Sequence, residues 1–328
     1  MFARTVGQAF FRLDKAWELD GSVYSPELKR QMVWLSGLLP YSQAEAVMKR
    51  IGKRAISDSS LWRTVEKQGQ RLEGELKPDT VDVPRGIQPD ELVCRGEALS
   101  MDGAMVNIRQ EGWKELKVGL VGNVVSENPA QFSVIPEVHL VQQAYTAVLG
   151  DVEQFTTALL RTAANYDFFS ATQSSVVADG AAWIWTVASA HFQNSVQIVD
   201  WYHAREHLAA AAQAYFPDQP LKAAAWLKSR TDSLFDGPLV SLLTELNQLG
   251  LSEHAHYFQT HQSRMRYLDF SRAGLPIGSG SVESEVKQFK HRLAAPGMRW
   301  SRAGAERMIP FRAAVLDNSF DARWSHAA

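Results

Sequence analysis

The sequence has a single cysteine, Cys94, among 328 residues. One cysteine excludes an intrachain disulfide and a zinc site built from several cysteines, and it fits a reducing compartment. No apolar run reaches the roughly 18 residues that a membrane-spanning helix needs. The N-terminal stretch, residues 1–11, is too short and too polar for a signal peptide. We therefore expect a cytoplasmic protein with no membrane partner.

The chain also lacks a strong overall charge, because 34 Lys and Arg stand against 36 Asp and Glu. It is not a polycation that coats nucleic acid, so any nucleic-acid surface must be local. Two stretches are locally basic. Residues 25–72 carry nine Lys and Arg against four Asp and Glu, and residues 286–312 carry seven against one.

The tripeptide Asp-Gly-Ala occurs twice, each time after a strand-like stretch. Val176 and Val177 lead into the copy that begins at Asp179, and Leu99 leads into the copy that begins at Asp102. β-branched residues favour a buried strand, and α/β sheets place ligand-binding groups at the carboxyl ends of strands. Asp-Gly is also a common turn signal. Its recurrence favours two carboxylates that meet at one point.

The order of predicted elements indicates a mixed α/β fold. A meander of three strands at about 97–102, 104–109 and 116–124 has turns at Gly103 and Gly112, and residues 127–146 are ambiguous. The patterns that follow are a helix at 150–167, a strand ending at Asp179, a helix at 181–192, a strand at 196–200 and helices at 202–215 and from Ser281. Residues 216–275 form a helical insertion before that last helix. This βββαβαβα order is the order of ribonuclease-H-like domains.

In that fold, acids from the first strand, the fourth strand and a late helix meet at one edge. Asp102 and Asp179 occupy the first two places, and the late helix offers Glu283 and Glu285, between which periodicity does not choose. Three close carboxylates repel each other unless cations lie between them. Mg²⁺ or Mn²⁺ prefers such oxygen ligands, and two ions can assist phosphoryl transfer on a nucleic-acid backbone.

The fifth strand leads into Asp200 and then His203, and we expect His203 to be a core histidine or one that lies near the metal ions without binding them. His203 and His207 share a helix face, but the sequence does not match His-Glu-x-x-His, so a dedicated zinc site is not favoured. An exposed helix accounts for the histidines of the insertion: His254, His256 and His261.

Residues 25–75 are predicted to form three short helices that resemble a helix-turn-helix. Ser25-Pro26, the capping box Ser42-x-x-Glu45 and Ser57 mark the helix starts. Residues 1–24 carry little pattern, and 76–92 form a linker with three prolines. The candidate DNA contacts here are Arg54, Ser59, Arg63 and Lys67.

The late helix and the segment after it form the second basic stretch. Backbone phosphates beside an acid cluster would explain its charge, and a solvated helix face would also look like this. The candidate DNA contacts are Lys287, Lys290, Arg292, Arg299 and Trp300, although packing in the core is the commoner fate for Trp300.

Several longer motifs resemble insertion-sequence transposases of the ISKra type, between about residues 20 and 315. The motifs are Asp179-Gly180-Ala181-Ala182-Trp183-Ile184-Trp185, the stretch from Ile198 to Leu208 with Asp200-x-x-His203, Ile277-Gly278-Ser279-Gly280-x-Val282-Glu283-Ser284, Gly297-Met298-Arg299-Trp300-Ser301 and Ser25-Pro26-Glu27-Leu28.

The resemblance implies a DDE transposase whose ribonuclease-H-like catalytic domain covers 93–315, with a tail at 316–328. It carries over Asp102, Asp179 and Glu283 as catalytic metal ligands and selects Glu283 over Glu285. It also places Asp200 and His203 beside the active site, where they would support the metal ligands. It further implies Mg²⁺ or Mn²⁺, with two ions expected, DNA ends and target DNA as partners, a homo-oligomer and a nucleoid-associated bacterial location. The alternatives are a shortened or domesticated copy that binds DNA without catalysis, and a stand-alone ribonuclease-H-like nuclease.

Overall fold

A computed structural model of the chain describes residues 23–75, 93–126, 138–278 and 280–326. The predicted linker at 76–92 and nearly all of the N-terminal segment 1–24 lie outside these ranges. The described residues form two compact units. One contains 23–75, 107–112 and 292–326, and the other contains 93–106 and 113–291 with the gaps already given.

The second unit is built on a five-stranded mixed sheet. Its strands lie in the order β3-β2-β1-β4-β5. β2 and β3 pair antiparallel, and β4 pairs parallel with both β1 and β5. The strands are β1 Val93–Ile108, β2 Gly112–Ser126, β3 Val138–Val148, β4 Ser174–Ala178 and β5 Val196–Val199.

The first two predicted strands are one strand, because β1 runs straight through Gly103. A Cβ at Gly103 would lie 2.4 Å from Oε1 of Glu115. Glycine therefore makes room for a neighbouring side chain inside the sheet instead of forming a turn. The chain turns later, where Gln110 and Gly112 have φ of 70° and 76°. The third strand of the meander is β3, which lies largely in the stretch that the sequence left ambiguous.

The predicted helices beside the sheet are confirmed with small shifts at their ends. Asp151 caps the first of them with a capping box. The Asp151 side chain accepts from the Gln154 backbone, and the Gln154 side chain accepts from the Asp151 backbone. These helices are α4 Val152–Asn165, α5 Ala182–His191 and α6 Trp201–Tyr215.

The predicted helical insertion is also confirmed, and it shares one core with the sheet. Leu234, Leu242 and Phe258 of the insertion belong to the same buried cluster as Val177 and Ile198 of the strands. The insertion helices are α7 Pro220–Asp236, α8 Leu239–Gln248, α9 Ser252–Thr260 and α10 Tyr267–Arg272, and α11 Gly280–Leu293 follows.

The first unit contains the three predicted short helices, α1 Pro26–Leu38, α2 Tyr41–Arg50 and α3 Asp58–Glu75. α12 Arg302–Leu316 packs against α1 and α3, and α13 Phe320–His326 follows it. Arg307 of α12 donates to Glu66 of α3 at 2.5 Å. α2 and α3 are joined by residues 51–57, a connection longer than the usual helix-turn-helix turn of about three or four residues.

Two buried arginines lie at the carboxyl end of α1, in the first unit. Arg292 donates from Nε to the Ser36 carbonyl at 2.6 Å, and Arg312 donates to the Gly37 carbonyl at 3.0 Å. The last carbonyls of a helix lack partners within the helix and carry partial negative charge. The arginines therefore cap α1 from within the core.

Arg292 and Trp300, both predicted DNA contacts, are instead packed inside this unit. Arg292 is 1% exposed, and its guanidinium carbon lies 4.9 Å from the ring centroid of Tyr41 and 5.0 Å from that of Trp300. Trp300 donates from Nε1 to the Leu293 carbonyl at 2.8 Å. Side chains enclosed in this way are not accessible to a DNA backbone, so the packing role replaces the DNA contact for both.

Of the predicted helix starts, Ser25 and Ser57 are confirmed and the capping box at Ser42 is wrong. Ser25 Oγ accepts from the Leu28 backbone at 3.3 Å, and Ser57 Oγ accepts from the Ser60 backbone at 3.3 Å. α2 already begins at Tyr41, after Pro40, so Ser42 lies inside the helix. Glu45 instead accepts from the Asp58 backbone at 3.0 Å.

No helix among the residues that the structure describes combines the length and the apolar character needed to cross a bilayer.

Two serine substitutions test which predicted cap is real. Ser25→Ala removes the side-chain acceptor that caps the start of α1, and we expect it to lower the free energy of unfolding by about 1 kcal/mol. Ser42→Ala is the matched control and should change it by less than about 0.5 kcal/mol. Urea unfolding of both variants measures the difference, and equal losses would contradict the assignment.

Candidate active site

The pairing of β1 with β4 brings the two predicted aspartates together. Ser100 pairs with Val177 and Met101 with Ala178, so the next residues in register are Asp102 and Asp179. Neighbouring strands are about 4.8 Å apart, and residues in register on parallel strands point to the same face. Asp102 and Asp179 therefore directly follow a register pair on neighbouring strands, at the same end of the sheet.

The environment of Asp102 disfavours its charge. Burial raises the pKa of Asp102, and the neighbouring charge of Asp179 raises it further. The Gly103 backbone, which donates to Asp102 at 2.5 Å, and the nearby Lys290 and His203 lower this pKa. Because burial and the second carboxylate prevail, the pair is arranged so that a cation would relieve its repulsion.

Asp179 begins a tight turn between β4 and α5. Its carboxylate accepts from the Ala181 backbone at 2.8 Å. The next residue, Gly180, lies against the insertion: a Cβ there would be 2.5 Å from Cε2 of Tyr257 and 3.4 Å from Nε2 of His261. The turn that carries Asp179 therefore needs glycine at 180 because α9 approaches it so closely.

Asp200 lies one strand further along, after β5. Its backbone donates to the Ala178 carbonyl at 2.8 Å, and its fully buried carboxylate accepts from the backbones of Tyr202 at 2.7 Å and His203 at 2.9 Å. Asp200 therefore caps α6 at its amino end. The cap fixes the position of the first turn of α6, and His203 in that turn is near enough for its charge to act on Asp102.

The sequence reasoning missed an aromatic cluster beside this turn. The rings of His207 and Tyr257 are stacked, with centroids 3.5 Å apart and planes 15° apart. His261 lies edge-on to Tyr257 at 5.0 Å and is 5% exposed, whereas an exposed position was expected for it. The spacing of four between Tyr257 and His261, which puts both on one helix face, was the available signal.

The start of α11 is anchored to the same end of the sheet. The Trp201 backbone donates to the Ile277 carbonyl at 2.9 Å, and a Cβ at Gly278 would lie 2.9 Å from Cε2 of Tyr202. Residues 277 and 278, just before α11, are therefore tied to the start of α6.

The helical repeat of α11 separates the two candidate glutamates. Position 283 precedes Lys290 by seven residues, so at about 100° per residue the two lie within about 20° on the helix. Position 285 lies about 140° from Lys290 on the same reckoning. The charge of Lys290 acts on Asp102, so position 283 lies on a helix face that also carries a residue near Asp102.

Asp102 and Asp179 are not part of a complete metal-ligand set among the residues that the structure describes. Within the ranges that the structure describes, no group of three or more His, Cys, Asp and Glu side chains is close enough to hold a metal ion. The side chains of residues 280–285, which include Glu283 and Glu285, lie outside that description. Asp102 and Asp179 are thus two neighbouring carboxylates whose donor chemistry fits Mg²⁺ or Mn²⁺.

The other predicted DNA contacts lie at the surface of their own units. Arg63 and Lys67 share the exposed face of α3, where Arg63 also donates to the Ser59 carbonyl at 3.2 Å. Trp62, which the sequence reasoning did not single out, is 46% exposed beside them. The remaining exposed candidates are Arg54, Lys287, Lys290 and Arg299.

The chain was compared with known proteins. No model of a known protein family matches it, and no curated protein matches its sequence.

The contact at Gly180 can be tested by adding one methyl group. Gly180→Ala would force that methyl against the Tyr257 ring, which is held by His207, and we expect the free energy of unfolding to fall by about 2 kcal/mol. In a Tyr257→Ala background the same change should cost less than about 0.5 kcal/mol, because the ring is gone. Urea unfolding of the four proteins measures the coupling. Additive losses would mean that the two residues do not touch.

The packing role of Arg292 gives a second test. Arg292→Ala removes a long buried side chain between two rings and should lower the free energy of unfolding by about 3 kcal/mol. Arg292→Met keeps most of the side-chain volume, so it should lower the free energy of unfolding less than the alanine change does. Burial lowers the pKa of Arg292 to about 10, so the group that both changes remove is charged at neutral pH.

The exposed Arg299 is the matched control for that measurement. Arg299→Ala should change the free energy of unfolding by less than about 0.5 kcal/mol. A loss at Arg299 as large as the loss at Arg292 would contradict the assignment of Arg292 to the core.

Proposed function

We propose that this chain is a metal-dependent DNA transposase of the DDE type, similar to insertion-sequence transposases of the ISKra type. The observation that carries the proposal is the register of β1 and β4, which puts Asp102 and Asp179 side by side. Glu283 is the proposed third acid. The helix face that position 283 shares with Lys290 favours it over Glu285.

The topology of the sheet supports a ribonuclease-H-like catalytic domain. That fold has three strands in a meander followed by two parallel strands, and the order β3-β2-β1-β4-β5 fits it. A helical insertion between β5 and α11 fits the same proposal, since it precedes the helix that carries the third acid.

Asp102, Asp179 and Glu283 would hold Mg²⁺ or Mn²⁺, and two ions are expected. Ions bound there would activate an attacking oxygen and stabilise the leaving oxygen of a phosphodiester. Gly103 orients the Asp102 carboxylate through its backbone N–H, and the Ala181 backbone does the same for Asp179. Asp200 holds the start of α6 and thereby places His203, so Asp200 and His203 support the acids without binding the ions.

DNA is the proposed partner, at the ends of an insertion element and at its target. Lys290 is charged, exposed and close enough to act on Asp102, so it is suited to hold a phosphate beside the acids. Arg63 and Lys67 on α3 would contact DNA elsewhere, together with Arg54, Lys287 and Arg299. Handling two DNA ends together would require at least a dimer, and the place of action would be the bacterial nucleoid in the cytoplasm.

Two other functions are kept as alternatives. A shortened or domesticated copy would bind DNA through its exposed basic residues without cutting it. A stand-alone nuclease would use the same acids with water as the nucleophile and would not join ends. The paired aspartates favour catalysis over the first alternative, because a protein that only binds DNA has no use for two adjacent acids.

The decisive experiment compares metal binding and DNA cleavage in matched variants. Free Mn²⁺ is followed by electron paramagnetic resonance as it is titrated into the wild type, Asp179→Asn and the control Asp218→Asn, whose acid is exposed. Mn²⁺-dependent nicking of a supercoiled plasmid and joining of an added 3′-hydroxyl end are measured in parallel. We expect Asp179→Asn to weaken Mn²⁺ binding and to lower nicking at least about 100-fold.

The control and the joining step separate the alternatives. Asp218→Asn should nick within about two-fold of the wild type, because a surface substitution away from the site leaves the acids in place. Nicking without joining would favour the nuclease. Salt-sensitive DNA binding with no Mn²⁺-dependent nicking in any variant would favour the binding protein and overturn the proposal.

A further inference from the structure

The helical insertion places the hydroxyl group of Tyr257 beside the turn that carries Asp179. The Tyr257 hydroxyl is buried and has no hydrogen-bond partner among the residues that the structure describes. A buried hydroxyl without a partner lowers stability, so its retention calls for a reason outside the packing of the core.

The position of the Tyr257 ring is fixed from two sides. The His207 ring stacks on it with centroids 3.5 Å apart. Gly180 lies against the ring edge next to the hydroxyl. A Cβ at Gly180 would be 2.5 Å from Cε2 of Tyr257 and 3.4 Å from Cζ, the carbon that carries the hydroxyl. The hydroxyl end of the ring therefore lies beside the residue that directly follows Asp179.

The charges around the hydroxyl point to the same neighbour. Burial raises the pKa of Tyr257 well above its usual range, and the charges of Asp179, Asp200 and Glu206 raise it further, with Asp179 first among them. A tyrosine hydroxyl is ordinarily protonated at neutral pH, so toward a carboxylate it acts as a hydrogen-bond donor.

We propose that Tyr257 is a positioning residue, whose hydroxyl hydrogen-bonds the Asp179 carboxylate, directly or through one water, when Asp179 holds a divalent cation. The inference rests on the proposed function, because it places the cation at Asp179. Carboxylates that bind metals are commonly held by such outer hydrogen bonds, and losing one costs about 10-fold or more in metal affinity. Through Tyr257, the insertion would then raise the affinity of the Asp179 site for a divalent cation.

A second buried tyrosine provides a matched control. Tyr267 is fully buried, and its hydroxyl also lacks a hydrogen-bond partner among the described residues. The charges that act on it come from Tyr257 and Asp200, and not from Asp179. Tyr267→Phe therefore makes the same chemical change in the same core without touching the carboxylate in question.

The experiment measures thermal unfolding without metal and Mn²⁺ affinity by electron paramagnetic resonance for the wild type, Asp179→Asn, Tyr257→Phe and Tyr267→Phe. Tyr257→Phe keeps the ring and its stack on His207, so we expect an unfolding temperature at least equal to that of the wild type. We expect its Mn²⁺ dissociation constant to rise about 10-fold, and that of Tyr267→Phe to stay within about two-fold of the wild type.

The outcomes are distinguishable. If Asp179→Asn weakens Mn²⁺ binding but Tyr257→Phe binds like the wild type, the positioning role is overturned and the proposed function stands. If the wild type does not bind Mn²⁺ at a saturable site, or if Asp179→Asn binds equally well, both are overturned. A fall of several degrees in the unfolding temperature of Tyr257→Phe would give the hydroxyl a structural role and also overturn the inference.

Discussion

The arrangement of the site depends on the parallel pairing of β1 with β4, which holds two like charges at adjacent positions. Backbone pairing fixes the register as far as Met101 and Ala178, and Asp102 and Asp179 directly follow that last pair. Burial adds to the penalty on the charged state of Asp102. The sheet thus holds two carboxylates next to each other although, without a bound cation, their proximity does not stabilise the protein. Such strain between like charges is typical of sites whose ligand is a cation.

The rest of the sheet unit is arranged around that pair. Asp200 fixes the start of α6, which brings His203 toward Asp102 and His207 toward Tyr257. The insertion is part of the same core as the strands, and through Tyr257 and His261 it closes on the turn at Gly180. The insertion therefore belongs to the site's architecture instead of being an addition to a loop.

Local patterns in the sequence predicted the elements between Asp151 and Leu293 well, because caps, glycines and apolar periodicity act over a few residues. They failed where distant residues decide. Gly103 reads as a turn until the side chain of Glu115 comes to lie over it. Arg292 reads as a surface cation until the carbonyl of Ser36, far away in the chain, accepts its hydrogen bond. The burial of His261 likewise depends on a contact with the Gly180 turn that no local pattern contains.

The two buried arginines at the end of α1 also bear on how the chain is made. α1, α2 and α3 leave the ribosome early. Arg292 and Arg312, which cap α1 from within the core, follow roughly 200 residues later, or about 10–40 s at ordinary rates of synthesis. During that interval the apolar side chains of α1 that α12 later covers remain open to solvent. The sheet unit has its last strand long before then. The helical unit therefore completes its core last, after nearly all of the chain has been synthesised.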